Sequence, residues 1–302
     1  MEDVDILIAN ARGRGTPIFA HAIARIAFAG YKPFHDDTPH PSKRPPMRIL
    51  ITNDDGIHAP GLKLLEKIAR AFTDDIFVVA PESDQSGVAH SLSLNNPLRL
   101  REISPRHFAV QGTPTDCVIM GVRKLMGDVR PDLLLSGVNR GQNAAEDVTY
   151  SGTIAAAIEG TLLGVPSIAL SQAYAGVEKR DRPHWDTAEA HAPAVIQKIL
   201  SIGIAPDVLV NVNFPPCDAA SVAGIEVTAQ GRRVGQLLRV EERHDGRAIP
   251  YYWLMFQRAG ASPGQGTDLE AIAAGKVSVT PIRLDMTAEA ERLRYAEAFA
   301  KS

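Results

Sequence analysis

Short apolar runs punctuate the chain, unbroken at residues 49–51, 76–80 and 133–135 and opened by Ser167 at residues 167–170. The stretches between them carry helical spacing. In residues 61–72, Leu62, Leu65, Ile68 and Ala69 fall on one face. A run that is apolar at every position suits a strand covered on both sides. Such strands alternating with helices form a parallel sheet between two helical layers, so the fold class expected is α/β. Residues 117–125 and 151–163 read as further helices, the second rich in small side chains and stopped near Gly164. Beyond that the chain is less regular. A helix is expected over 191–202, a strand over 208–212, and β segments over 225–228, 251–256 and 276–280. Residues 230–259 resemble a hairpin dense in charge and aromatics, either an arm that packs on another subunit or a β-rich flap on its own.

A chain of 302 residues with 45% hydrophobic side chains can bury a large core. Its net charge of −3 argues against a general nucleic-acid surface, which needs clustered cations, but not against a pocket for one phosphate. The two cysteines, Cys117 and Cys217, form no CxxC pair, which makes a thiolate zinc site a poor fit. Cys117 lies in an apolar stretch and reads as a buried small residue. So few cysteines suit a reducing compartment. No apolar run is long enough to span a bilayer, and Glu2, Asp3 and Asp5 suit neither a signal nor a transit peptide. No membrane partner is expected, and a cytoplasmic location follows by default. Residues 1–46 end in a linker-like stretch dense in proline, histidine and charge, before the sharp strand signal that opens at Met47. They are either an upstream extension or an N-terminal arm.

The strongest local signal is Ile49-Leu50-Ile51-Thr52-Asn53-Asp54-Asp55-Gly56. A buried parallel strand ends in two adjacent carboxylates, and the carboxyl ends of such strands form the ligand crevice of α/β sheets. Two neighbouring carboxylates repel each other and are costly to desolvate. A divalent cation relieves both, and oxygen ligands suit Mg²⁺, Mn²⁺ or Ca²⁺. Taken alone, the same residues could equally be a solvated acidic turn. The loops after the next strands bear on that choice. Residues 80–87, Ala-Pro-Glu-Ser-Asp-Gln-Ser-Gly, carry Ser86, and residues 136–143, Ser-Gly-Val-Asn-Arg-Gly-Gln-Asn, carry Asn139 and Asn143. Ser86 and Asn139 offer neutral oxygens that could complete a metal shell with Asp54 and Asp55. Next, Tyr150-Ser151-Gly152-Thr153 opens an alanine-rich helix, whose free N–H groups and positive dipole end favour phosphate. Simple N-capping explains Ser151 as well, but not the added Gly152 and Thr153. Residues 112–116 form a similar helix start, where Thr115 or Asp116 is the expected cap. His58 and His90 lie near these loops and are expected at the surface. Tyr174 and the cluster Tyr251-Tyr252-Trp253 could stack on a base, though core or interface packing is the commoner role.

The chain has no GxxxxGK[ST] loop and no HExxH helix. The ordered set MRILITNDDG, APESDQSG, GTPTDCV, SGVNRGQN, DVTYSGTIAAAIEG, NVNFP and GTDLEAIAAGKVSVTP instead resembles the SurE survival-protein family of nucleotidases. The likeness runs from Met47 almost to the C-terminus and leaves residues 1–46 outside it. It implies a Rossmann-like three-layer core over 47–302 with a C-terminal β-rich arm, from about residue 225, exchanged between subunits of a homodimer or homotetramer. It implies one divalent cation per subunit, Mg²⁺ or Mn²⁺ above all, with metal ligands at Asp54, Asp55, Ser86 and Asn139 and a phosphate pocket at Ser151, Gly152 and Thr153. The implied reaction is hydrolysis of nucleoside 5'- and 3'-monophosphates, with short-chain polyphosphate as a further substrate. One position departs from the family pattern: Ala145 stands where glycine is usual, before Glu146 and Asp147, which puts the loop's backbone angles in question.

The chemistry expected is metal-assisted hydrolysis, with Asp54 orienting or deprotonating water, Asp55 mainly a ligand, and Asn143 with the start of the 151–163 helix stabilising phosphoryl charge. A haloacid dehalogenase-type phosphatase, which forms a phospho-aspartate, uses a D-x-D spacing after the first strand, where Asp54 and Asp55 are instead adjacent. A non-catalytic nucleotide-binding module on the same fold is the alternative of a different class.

Overall fold

The structure, a computed structural model, describes residues 47–176, 182–233, 238–256 and 264–300. Residues 1–46, set apart above as an extension, and parts of the 230–259 segment lie outside the described residues. In chain order the strands are β1 (Ile49–Thr52), β2 (Ile76–Pro81), β3 (Arg99–Ser104), β4 (His107–Gln111), β5 (Leu133–Arg140), β6 (Ser167–Gln172), β7 (Val208–Phe214), β8 (Ile225–Val227), β9 (Leu238–His244), β10 (Pro250–Phe256) and β11 (Val277–Arg283). The α-helices are α1 (Pro60–Ala69), α2 (Pro114–Ile119), α3 (Gly152–Leu162), α4 (Trp185–Ile202), α5 (Asp268–Ala273) and α6 (Glu289–Ala300).

Nine strands form one sheet in the order β3-β4-β2-β1-β5-β6-β7-β11-β8. From β4 to β7 every neighbouring pair is parallel. Numbering these six parallel strands by chain order gives the spatial order 3-2-1-4-5-6, the doubly wound arrangement. β3 adds antiparallel to β4 at one edge, and β11 adds antiparallel to β7 near the other. Among the described residues, β9 and β10 pair only with each other, as a separate antiparallel hairpin. The expected mainly parallel α/β core with a β-rich C-terminal arm is therefore the fold found.

The apolar runs are continuous because alternate residues serve different cores. Ile49 and Ile51 of β1 pack with Leu62, Leu65 and Ile68 of α1 and with Val195 and Ile196 of α4. Leu50, between them, packs on the opposite face with Val118 of α2 and Ile154 and Ala157 of α3. Cys117 lies in that second core, fully buried as expected, and burial pushes its thiol well above the usual range.

Several boundaries differ from those read in the sequence. α4 begins at Trp185, ahead of the expected start, and α1 ends at Ala69. α2 starts at Pro114, with Thr113 rather than Thr115 or Asp116 as its N-cap. The Asp116 side chain accepts from the Thr113 N–H at 2.8 Å and completes a capping box. From Met120 to Leu125 the helix continues as a π-helical turn. β5 does not stop at Ser136-Gly137 but runs to Arg140, with an irregular register against β6 between Ser136 and Asn139. Gly137 permits this: its φ is +131°, and a Cβ there would lie 2.2 Å from the Leu170 carbonyl oxygen. No helix among the described residues is long and apolar enough to cross a membrane.

Candidate active site

β1 is the point at which the winding reverses: the chain proceeds to β2 and β4 on one side and to β5, β6 and β7 on the other. A crevice opens beyond the carboxyl ends of the strands at such a point. Asp54 and Asp55 follow β1 directly and stand there. Their loop is laced to the one after β2. The Gln85 N–H donates to the Asp54 carbonyl at 2.8 Å, and the Ile57 N–H donates to the Pro81 carbonyl at 2.8 Å. Within the turn, the Asn53 side-chain amide donates to the Gly56 carbonyl at 3.0 Å.

A cavity of about 660 Å³ opens at this crevice, a size ordinary for a small-ligand site. Asp54, Asp55, Ser86, Asn139, Asn143 and Ser151 all line it. Six of the eight residues singled out in the sequence thus meet on one wall system although they come from four separate segments. The other two, Gly152 and Thr153, are buried just behind. Thr153 is fully buried, and its hydroxyl donates to Asp54 Oδ1 at 2.6 Å. Gly152 lets α3 approach: a Cβ there would stand 2.7 Å from the Asp54 Cβ. The Ser151 hydroxyl oxygen accepts the Ile154 N–H at 3.1 Å, so this residue caps the helix as well as facing the cavity.

Asp54 is 4% exposed. Burial, with the negative charge of Asp55 beside it, pushes its pKa from the ordinary 3.8 up to about 7, against the opposing pull of the Thr153 hydrogen bond. Asp55 Oδ2 accepts the Arg140 N–H at 3.3 Å. The Asn139 side-chain NH₂ donates to the Gly141 carbonyl at 2.8 Å, which leaves its amide oxygen as the end suited to a ligand. The Ser86 hydroxyl donates to Asp84 Oδ1 at 2.6 Å, so its lone pairs are free to accept or ligate. Among the described residues, no group of three or more His, Cys, Asp and Glu gathers as a metal site. A cation here would depend on two carboxylates and neutral oxygens, a set that suits a hard divalent ion.

Asn143 is held by β7. Its N–H donates to Asn213 Oδ1 at 2.8 Å, its carbonyl accepts from the Asn211 and Asn213 amides at 2.7 and 3.1 Å, and its own side chain donates to Ser171 at 3.0 Å. Ala145, the departure from the family pattern, adopts φ +53°, a left-handed conformation that favours glycine. Its N–H donates to Asp268 Oδ2 at 2.8 Å and its carbonyl accepts from the Gln230 amide at 2.9 Å. His58 and His90 are exposed, and His90 pairs with Glu159 at 3.0 Å.

Three further features escaped the sequence reading. Asp147 lines the cavity, and its Oδ2 accepts from Arg233 at 2.8 Å in a pair whose side chains are both 7% exposed. Asp268 is fully buried and takes the N–H groups of Ala145, Gly231 and Leu269. Leu254, Met255 and Phe256 of β10 reach the cavity; Tyr174, named from the sequence, lines it too, whereas Tyr251, Tyr252 and Trp253 do not. Asp147 opens the DVTYSGTIAAAIEG run and Asp268 lies in GTDLEAI, but neither run gave its aspartate a role.

Comparison with known proteins agrees with this architecture. The family model described as survival protein SurE matches residues 49–236. A 5'-nucleotidase SurE of Methylorubrum extorquens (strain PA1) is 64% identical over 253 residues, 84% of this chain and 99% of its own length. Another, from Beijerinckia indica subsp. indica, is 61% identical over 257 residues, 85% of this chain and 98% of its own. The crystal structure of the SurE protein from Aquifex aeolicus matches with a TM-score of 0.71 at 38% identity, covering 83% of this chain and 99% of that one. The motifs at the strand ends, the doubly wound sheet and these matches together place the chain in the SurE family.

Proposed function

We propose that this chain is a metal-dependent 5'-nucleotidase that hydrolyses nucleoside monophosphates to nucleoside and phosphate. Its relatives carry the name 5'-nucleotidase SurE. The observation that carries the reading is Asp54, a buried carboxylate pressed against a second carboxylate at the switch point and braced by Thr153. Nucleoside 3'-monophosphates and short-chain polyphosphate are proposed as further substrates.

Asp54, Asp55, Ser86 and Asn139 would hold one Mg²⁺ or Mn²⁺. When bound, such an ion polarises a phosphoryl oxygen and lowers the pKa of a water. Thr153 fixes Oδ1 of Asp54, which leaves Oδ2, beside Gly152, to orient the attacking water and take its proton. The first N–H groups of α3, at Gly152 and Thr153, have no partner within the helix and aim positive charge at the phosphoryl oxygens. Asn143 and the Ser151 hydroxyl add polar contacts from the same wall.

Exposed apolar residues on both faces of the β9–β10 hairpin, and α6 with none of its residues buried, support assembly as a homodimer or homotetramer. The cytoplasmic location expected from the sequence goes with this reading.

The test is a panel of nucleoside monophosphates assayed with EDTA and with added Mn²⁺ or Mg²⁺. Metal-restored phosphate release is expected, and Asp54→Asn is expected to lose at least a thousandfold in kcat with an unchanged fold by circular dichroism. Nucleotide binding without turnover at any metal concentration would identify a binding module instead.

A further inference from the structure

Both ends of the turn at residues 143–147 line the cavity, through Asn143 and Asp147. The turn runs on as a 3-10 segment, Ala145–Thr149, and Ser151 caps α3 just beyond it. Its shape therefore sets where Asn143 stands and where α3 begins. The local sequence does not favour that shape. Ala145 is left-handed at φ +53°, a conformation that crowds an L side chain and that glycine adopts freely. The contacts that hold it come from 85 and 123 positions along the chain. The Gln230 amide donates to the Ala145 carbonyl, and Asp268 Oδ2 accepts the Ala145 N–H. Asp268 is itself fixed. Its own N–H donates to the Ala229 carbonyl at 2.9 Å, and its Oδ1 accepts the Gly231 and Leu269 N–H groups, each at 2.8 Å. Gly231 makes room for it: a Cβ there would stand 2.7 Å from Oδ1. A buried carboxylate is costly without such bonds, and one of them is the bond to the turn.

We propose that Asp268 and Gln230 are positioning residues for the reaction: they hold Ala145 left-handed, which keeps Asn143 and the start of α3 aimed at the phosphoryl group. The proposal rests on the nucleotidase reading above. With either bond gone, Ala145 relaxes towards negative φ and the turn shifts. Donors aimed at charge that develops in the transition state act on kcat, so their displacement lowers kcat more than it weakens substrate binding. A glycine at position 145 carries no penalty for the left-handed shape and depends less on the clamp. The loss caused by weakening the clamp is therefore repairable at the residue it holds.

The experiment measures kcat and KM for AMP with Mn²⁺ in the full chain, in Asp268→Asn, and in Asp268→Asn combined with Ala145→Gly, each shown to be folded by circular dichroism. In Asp268→Asn kcat should fall about tenfold to a hundredfold while KM stays within about threefold of wild type, and Ala145→Gly should recover most of the loss. A merely structural role would lower stability and leave nothing for residue 145 to repair. A kcat within about twofold of wild type in Asp268→Asn overturns the proposal, as does a double variant no faster than the single one. If Asp268→Asn does not fold, Gln230→Ala, a change at an exposed side chain, takes its place. A kcat lowered about threefold and restored by Ala145→Gly is then expected, and an unchanged kcat overturns the proposal. If the unmodified chain hydrolyses no nucleotide, the nucleotidase reading fails by itself. Hydrogen exchange then decides the clamp: amides of residues 144–151 that exchange about tenfold faster in Asp268→Asn or Gln230→Ala support it, and unchanged rates overturn it.

Discussion

Asp54 is the residue on which the chemistry and the stability of this protein meet. Its carboxyl titrates at about 7 in the fold, first because it is buried and then because Asp55 is beside it, against 3.8 in an exposed chain. A raised carboxyl pKa means that the folded state binds more protons than the unfolded one between those values. The contribution to stability is full below about pH 4 and is lost as pH rises towards 7. The difference corresponds to on the order of 4 kcal/mol. In EDTA, urea midpoints should therefore fall between pH 4 and 7, and Asp54→Asn, which keeps an acceptor for Thr153, should flatten the profile. A divalent cation should restore stability above pH 7 in wild type far more than in the variant. Identical profiles for the two chains would show that the site is not electrostatically stressed. Asp54, Asp55, Ser86 and Asn139 were legible because each stands in or beside a strand end in a recognisable run. Thr153 as the partner of Asp54 was not, because the two are 99 positions apart and only the sheet order brings them together.

At the scale of elements, the site depends on how closely α3 can approach β1. Gly152 is in contact with Asp54 and Pro114, with a Cβ position 2.7 Å from the first and 3.1 Å from the second. Gly152→Ala should cost about 1–3 kcal/mol by overpacking and displace the helix start from Asp54. Activity should fall more than stability, and wild-type kcat in that variant would contradict the tight approach. A second contact of this kind is Arg233, whose guanidinium reaches Asp147 at 2.8 Å and the Ala144 carbonyl at 3.1 Å. Arg233→Ala breaks the buried pair with Asp147 and should cost several kcal/mol, about 3–5, in urea unfolding, with a raised KM because Asp147 lines the cavity. The buried strands β1, β2, β5, β6 and β7 were readable because each contains a short run of consecutive apolar residues. β3 was not: all six of its positions are exposed, and its charged side chains break no pattern that a loop would not also show. Arg233 and Asp268 stayed hidden because their partners lie in a turn more than 80 residues away.

For the whole molecule, the unusual feature is a hairpin that leaves apolar surface uncovered. β9 and β10 pair over seven residues each and with nothing else among the described residues. A two-stranded ribbon is marginally stable by itself in water. Trp253 is 55% and Tyr251 41% exposed, and their rings meet at 6.3 Å while their outer faces stay open. An exposed aromatic patch of this kind marks an association surface. Neither residue lines the cavity, which separates assembly from chemistry. Sedimentation equilibrium of the purified chain should therefore give a dimer or tetramer. The double variant Tyr251→Ser/Trp253→Ser should sediment as a smaller species and unfold at a lower temperature, since the ribbon would lose its cover. Its remaining nucleotidase activity then reports whether the wall formed by Met255 and Phe256 keeps its place without a neighbour. A wild-type chain that stays monomeric at tens of micromolar would mean that the hairpin's exposed rings serve something other than self-association.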